Sequence, residues 1–217
     1  MQQTGRRWFS VILTAGIVLF LASVALVLLR YQPFAIPSSS MASTLQIGDR
    51  VLADRWDTDA QRGDIFVFNA SLWGAGGTEI KRVLGIGGDK VSCNAGGPLL
   101  VNGEPVLETY LPQGGSGSTV SFDIVVPAGR VFLLGDNRNS SLDSRAHLDQ
   151  SSGTIPIASI QAKYSATIYP AAHASIFPTN GFIKVLFGGV AAGLLLSVLA
   201  GFLLIGQWLL GKLARKQ

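Results

Sequence analysis

The chain has 217 residues, 48% of them hydrophobic and only 14% charged, against about 25% charged in an ordinary soluble domain. All 13 Asp and Glu lie between Asp49 and Asp149, and the 10 Lys and Arg between Tyr31 and Ile183 are fewer than those acids. The net +4 therefore belongs to the two ends, which excludes a basic nucleic-acid-binding body.

Trp8–Leu29 comes first. It holds no charge and no proline, and at 1.5 Å per residue it can cross a hydrocarbon core of about 30 Å. Arg6 and Arg7 would suit a cleavable signal peptide. The apolar run exceeds the roughly 7–15 residues of such a peptide, and Arg30-Tyr31-Gln32-Pro33 is a poor small-residue cleavage site. The segment reads as an uncleaved anchor. Residues 31–38, with Pro33 and Pro37, read as an extended tether.

The body that follows reads as β. Asp64–Asn69, Ile80–Leu84, Val120–Val126, Arg130–Leu134 and Lys163–Tyr169 are short runs rich in β-branched and aromatic residues. Asn102-Gly103 between Leu99–Val101 and Glu104–Val106 predicts a type I′ hairpin turn. Gly74–Thr78, Asn94–Pro98 and Gln113–Ser118 read as mobile Gly/Ser-rich loops. A second uncharged run, Val185–Gly211, is again long enough to span a bilayer.

The predicted organisation is a basic cytoplasmic N-terminus (1–7), a first transmembrane helix (8–29), a mainly β domain (30–183), a second transmembrane helix (184–211) and a basic cytoplasmic tail (212–217). Arg6, Arg7, Lys212, Arg215 and Lys216 flank the spans on their outer ends, so the positive-inside rule puts both termini in the cytoplasm and the β domain outside. A lone Cys93 makes no internal disulfide. No zinc spacing, phosphate loop or dinucleotide fingerprint is present, so neither metal nor cofactor is expected. His147 and His173 read as surface residues without a special role.

Pro37-Ser38-Ser39-Ser40-Met41-Ala42-Ser43-Thr44-Leu45 taken alone is a polar turn. Three further segments change its meaning. They are Arg62-Gly63-Asp64, then Lys81-Arg82-Val83 leading to Gly88-Asp89, and Gly135-Asp136 running through Asn137, Arg138, Asn139, Ser140, Ser141, Leu142, Asp143 and Ser144 to Arg145. In this order the set resembles the bacterial type I signal peptidase (leader peptidase) family over about residues 36–145 and the preceding anchor.

The resemblance implies coiled antiparallel sheets flanked by two transmembrane helices, with Ser40 as nucleophile and Lys81 as general base. It implies that Ser38 helps bind the oxyanion, that Ser141 positions the lysine, and that Asp143 and Arg145 give structural support. The implied substrates are signal-peptide-bearing preproteins from the export machinery, cut at a lipid bilayer after Ala-x-Ala-like sites. Ser43, Gly87, Asn139 and Ser140 depart from the family pattern in loop residues, and none removes a catalytic group.

The residue types suit that chemistry. A serine hydroxyl is a weak nucleophile until a base takes its proton. Lysine is such a base only when neutral, and burial against apolar surface favours the neutral amine. Strand alternation sends Lys81 and Arg82 to opposite faces, so one can serve as base while the other pairs with Asp136. Rival readings are a sortase-like transpeptidase using Cys93 and a catalytically dead membrane-tethered binding module. Self-cleaving Ser–Lys repressors are soluble, so the two spans exclude them.

Overall fold

A computed structural model describes residues 2–74, 76–112, 117–178 and 181–214. Residues 113–116 of one expected loop, Ala75 of another, and Arg215 and Lys216 of the expected tail lie outside the described residues. The chain divides into a helical unit, residues 1–30 with 178–217, and a β-rich unit, Tyr31–Phe177.

In the helical unit, α1 (Gln2–Arg30) and α2 (Gly181–Ala214) pack on each other. Gly16 lies against the Ser197 backbone, Gly193 against the Phe20 backbone and Gly189 against Ser23 Oγ, at separations a Cβ would close to 2.9 Å or less. Small residues at such a seam let two backbones approach. Away from the seam, large apolar side chains stand exposed, with Leu28 at 74% and Phe202 at 69%. A helix apolar on its outward faces calls for lipid rather than water. Arg7–Arg30 and Gly181–Leu209 are both long and apolar enough to cross a membrane, and the protein is membrane-anchored.

The β-rich unit is built from β1 (Tyr31–Ala35), β2 (Arg50–Asp54), β3 (Ile65–Asn69), β4 (Thr78–Ile86), β5 (Lys90–Cys93), β6 (Leu99–Val101), β7 (Glu104–Pro105), β8 (Phe122–Val125), β9 (Arg130–Leu134), β10 (Ile155–Pro156), β11 (Ile160–Tyr169) and β12 (Ser175–Ile176). One antiparallel sheet has eight strands in the order β1-β2-β11-β3-β4-β9-β10, with β12 added on β11. A smaller sheet runs β7-β6-β5-β8. The fold is mainly β, with the two long helices confined to the other unit.

The expected tether is instead a strand. Tyr31–Ala35 pairs in register with β2, from Tyr31 opposite Asp54 to Ala35 opposite Arg50. It is the outermost strand on that side, where a residue without an N–H such as Pro33 is tolerated. The Asn102-Gly103 turn forms as expected, with φ of 55° and 87°, and joins β6 to β7.

Phe66, Phe68, Val83, Leu133 and Ile155 fill one buried cluster, and Ile36, Met41, Leu45, Val51, Ile65 and Tyr164 fill another. Cys93 sits with Val91, Leu99, Phe122 and Phe132 under the smaller sheet. Neither histidine stands alone on the surface. His147 stacks on Trp73 with centroids 4.7 Å apart and planes 8° off parallel, and His173 Nδ1 lies 2.8 Å from Asp49 Oδ1.

Candidate active site

Ser40 projects from a single tight turn. Leu45 N–H donates to the Met41 carbonyl at 2.7 Å and Ala42 N–H to that of Ser39 at 3.0 Å. Met41 and Leu45 are fully buried, one helical turn apart, and pull this segment onto the core. Ser40, just before Met41, is left at the floor of a cleft and is 8% exposed. The cleft has a volume of about 450 Å³ and runs between the chain from Phe34 to Ser40 and the strand from Thr78 to Lys81, with Leu142 at its rim.

Lys81 reaches the same floor from β4. Its Nζ lies 3.4 Å from Ser40 Oγ, and its side chain is 4% exposed. Ser38 donates to Ser40 Oγ at 3.3 Å. The structure thus brings Ser38, Ser40 and Lys81 together. It does not join Ser141 to them by a hydrogen bond: Ser141 Oγ is buried without a partner among the described residues. Lys81 Nζ is held by Glu79 Oε2 at 2.8 Å instead.

Arg82 points the other way, as alternation requires. It makes a two-pronged pair with Asp136, at 2.8 Å and 2.6 Å, and also donates to the Gly63 carbonyl at 2.8 Å and to Thr44 Oγ1 at 3.2 Å. Four segments singled out in the sequence therefore meet at one guanidinium. The Tyr110 ring covers it at 3.9 Å. Burial, and then the Glu108 carboxylate that accepts the Tyr110 hydroxyl at 2.6 Å, push that phenol far above its usual range, so it stays a donor.

Asp143 and Arg145 brace the turn that carries Asp136. Arg145 grips both Asp143 oxygens at 2.8 Å and 2.7 Å, and Asp143 accepts the Gly135 N–H at 3.0 Å. Arg138 ties the same turn to Glu108 and to the Gly135 carbonyl. Asn137 then bonds the Ser40 carbonyl through its N–H at 3.0 Å and the Ser39 carbonyl through Nδ2 at 3.1 Å. The chain of contacts runs from Arg145 to the Ser40 backbone. Asp143 and Arg145 act here through Gly135 and Asn137 and touch neither Ser40 Oγ nor Lys81.

Three residues were not singled out from the sequence. Glu79 had a visible signal, being two positions before Lys81 on a strand and so on its face. Glu108 and Tyr110 had none, because only the tertiary fold brings their turn to Arg82 and Arg138.

Cys93 is 2% exposed, and burial pushes its thiol above the ordinary range. An activated cysteine nucleophile needs the opposite, an accessible site that favours thiolate. Among the described residues no group of three or more His, Cys, Asp or Glu could hold a metal ion.

The sequence resembles known peptidases beyond these motifs. A signal peptidase I of Mycobacterium tuberculosis is 30% identical across 76% of this chain and 72% of its own length. Signal peptidase I U of Bacillus subtilis is 34% identical across 64% and 79%. A solved signal peptidase I from Enterococcus faecalis is 28% identical, with a TM-score of 0.40, over 48% of this chain and 95% of that one. Residues 6–169 match the sequence model of the family described as signal peptidase, peptidase S26, and with that the chain belongs to this family of hydrolases.

Proposed function

We propose that this membrane-anchored peptidase removes N-terminal signal peptides from exported preproteins by acyl-enzyme chemistry at Ser40, with Lys81 as general base. The observation that carries the reading is the approach of Lys81 Nζ to 3.4 Å from Ser40 Oγ at the floor of the cleft. An extended peptide would enter between Phe34–Ser40 and Thr78–Lys81 and pair with exposed strand backbone. The walls there include Ile36, Pro37, Ile80 and Leu142, an apolar lining in keeping with the apolar side chains of Ala-x-Ala-like sites.

In acylation the Lys81 amine takes the Ser40 proton as Oγ bonds to the scissile carbonyl carbon. The resulting oxyanion is met by the Ser38 hydroxyl and the Ser40 N–H. The tetrahedral adduct collapses, the C–N bond breaks, and the Lys81 ammonium returns its proton to the departing amine. Lys81 then deprotonates a water that hydrolyses the ester and frees Ser40. Asp143 and Arg145 support this geometry from behind, through Gly135 and Asn137.

Preproteins leaving the export machinery would reach the site on the outer face of the plasma membrane, with both termini of this chain in the cytoplasm. The decisive measurement is turnover of a purified precursor by the full detergent-solubilised chain. Ser40→Ala and Lys81→Ala should each lower it by about 10⁴-fold or more. Wild-type turnover in either variant would sink the dyad.

A further inference from the structure

Two peptide units flank the Cα of Ser40, and one residue from outside its turn holds both. The Asn137 N–H donates to the Ser40 carbonyl at 3.0 Å, and Asn137 Nδ2 donates to the Ser39 carbonyl at 3.1 Å. A peptide unit is planar, and in the trans form its C=O and N–H point in opposite directions. Holding the Ser39 carbonyl therefore also sets the direction of the Ser40 N–H, which belongs to the same plane. Holding both planes sets φ and ψ of Ser40, and with them the direction in which Cβ and Oγ leave the backbone.

The other bonds around this turn do not do the same. The Ala42 N–H also donates to the Ser39 carbonyl, at 3.0 Å, and the Leu45 N–H to that of Met41. Both bonds lie within the turn, so they fix its shape and move with it. From the turn after β9, the Asp136 N–H reaches Met41 Sδ at 3.4 Å, Asp136 Oδ2 accepts the Thr44 hydroxyl, and Ser140 Oγ stands 3.4 Å from Ser39 Oγ. None of these three ends on a peptide group of Ser39 or Ser40. Among the described residues no group accepts the Ser40 N–H, although Ser40 is 8% exposed. A donor left unpaired in a buried setting calls for a reason.

We propose that Asn137 is a positioning residue that aims the Ser40 N–H at the oxygen that becomes negative when Oγ attacks. The inference rests on the Ser40/Lys81 reading. Asn137 does not line the cleft and acts only through the two carbonyls it holds. A donor aimed at developing charge stabilises the transition state more than the bound substrate. Loss of the Asn137 amide should therefore appear in kcat and leave KM in place.

Two variants of the full detergent-solubilised chain test this with a purified precursor. Asn137→Leu has nearly the same shape and no donor. Asn137→Asp keeps the shape and the backbone bond but sets an oxygen against the Ser39 carbonyl. Each should lower kcat by about 10- to 100-fold, short of or at the lower edge of the effect of deleting an oxyanion donor outright. A peptide aldehyde is the second probe, because Ser40 Oγ adds to its carbonyl carbon and its oxygen then takes the oxyanion's place. Its inhibition constant should rise by the same factor as kcat falls, while that of the corresponding alcohol, which forms no adduct, stays put.

Wild-type kcat in Asn137→Leu would overturn the inference even if Asn137→Asp were slow, since added charge would then explain the slow variant. A rise in KM with kcat unchanged, or unchanged aldehyde affinity, would overturn it too, because lost packing does not single out the adduct. Should Asn137→Leu fail to fold, Asn137→Asp decides by the aldehyde-against-alcohol comparison. The dyad fails by a different sign, namely turnover surviving in Ser40→Ala or Lys81→Ala. If both of those are dead and the Asn137 variants turn over like the wild type, the dyad stands and the role of Asn137 falls.

Discussion

A Cβ at Gly135 would run into Ser141 Oγ and come within 2.6 Å of the Ser40 carbonyl oxygen. Gly135 is thus the point where the braced turn touches the Ser40 backbone. Gly135→Ala should lower kcat/KM by about 100-fold, the scale expected when a reacting group is displaced by about 1 Å. Circular dichroism should show the fold intact, and a variant as fast as the wild type would mean that Ser40 has slack. At this scale much of the site was legible. Ser40 and Lys81 stood out because the serine before Met41 and the lysine in an apolar strand occur together with three Gly-Asp pairs in the order that resembles the signal peptidase family. Alternation put Arg82 on the face opposite Lys81, free for the pair with Asp136 that the structure shows. Glu79 was equally visible by spacing and was overlooked. Ser141 was expected to position Lys81, and its hydroxyl makes no such bond here.

Among the elements, the turn from β4 to β5 has its own electrostatic lock. Burial by itself would raise the Asp89 carboxyl. Bonds from Arg62, the Ile86 N–H and the Asn102 amide outweigh that and hold it below the ordinary carboxylate range. The ionised form is therefore favoured by folding. Its stabilising effect is complete above the unfolded carboxylate value, near 4, and is lost as pH falls through the lower folded value. The melting temperature of wild type should exceed that of Asp89→Asn at pH 7, with the gap closing below about pH 4. A gap constant from pH 7 to 3 would contradict this. The sequence showed this turn's place but misjudged the neighbouring edge. Two prolines suggested a tether where β1 forms, because proline signals a break only when the N–H it lacks is needed, and an outermost strand leaves half its N–H groups unpaired. β2 went unread, being five residues with charges at both ends.

For the whole molecule, the spans were legible because length and absence of charge suffice. The topology across the bilayer rests on where the charges fall. Protease added outside sealed spheroplasts should cut within residues 31–177 and leave tags at both termini intact, and digestion of either tag would reverse the assignment. The sheet order also has a temporal side. β2 is sandwiched between β1 and β11, the Asp136 N–H leans on Met41 Sδ at 3.4 Å, and Asn137 holds the Ser40 carbonyl. A ribosome makes Ser40 well before Asp136 or β11. The growing chain therefore carries Ser40 before its seat has been synthesised, and on the proposed reading the site is complete only when the late strands close the sheet. On that reading the order of synthesis would keep the newborn protein inactive until it is nearly finished.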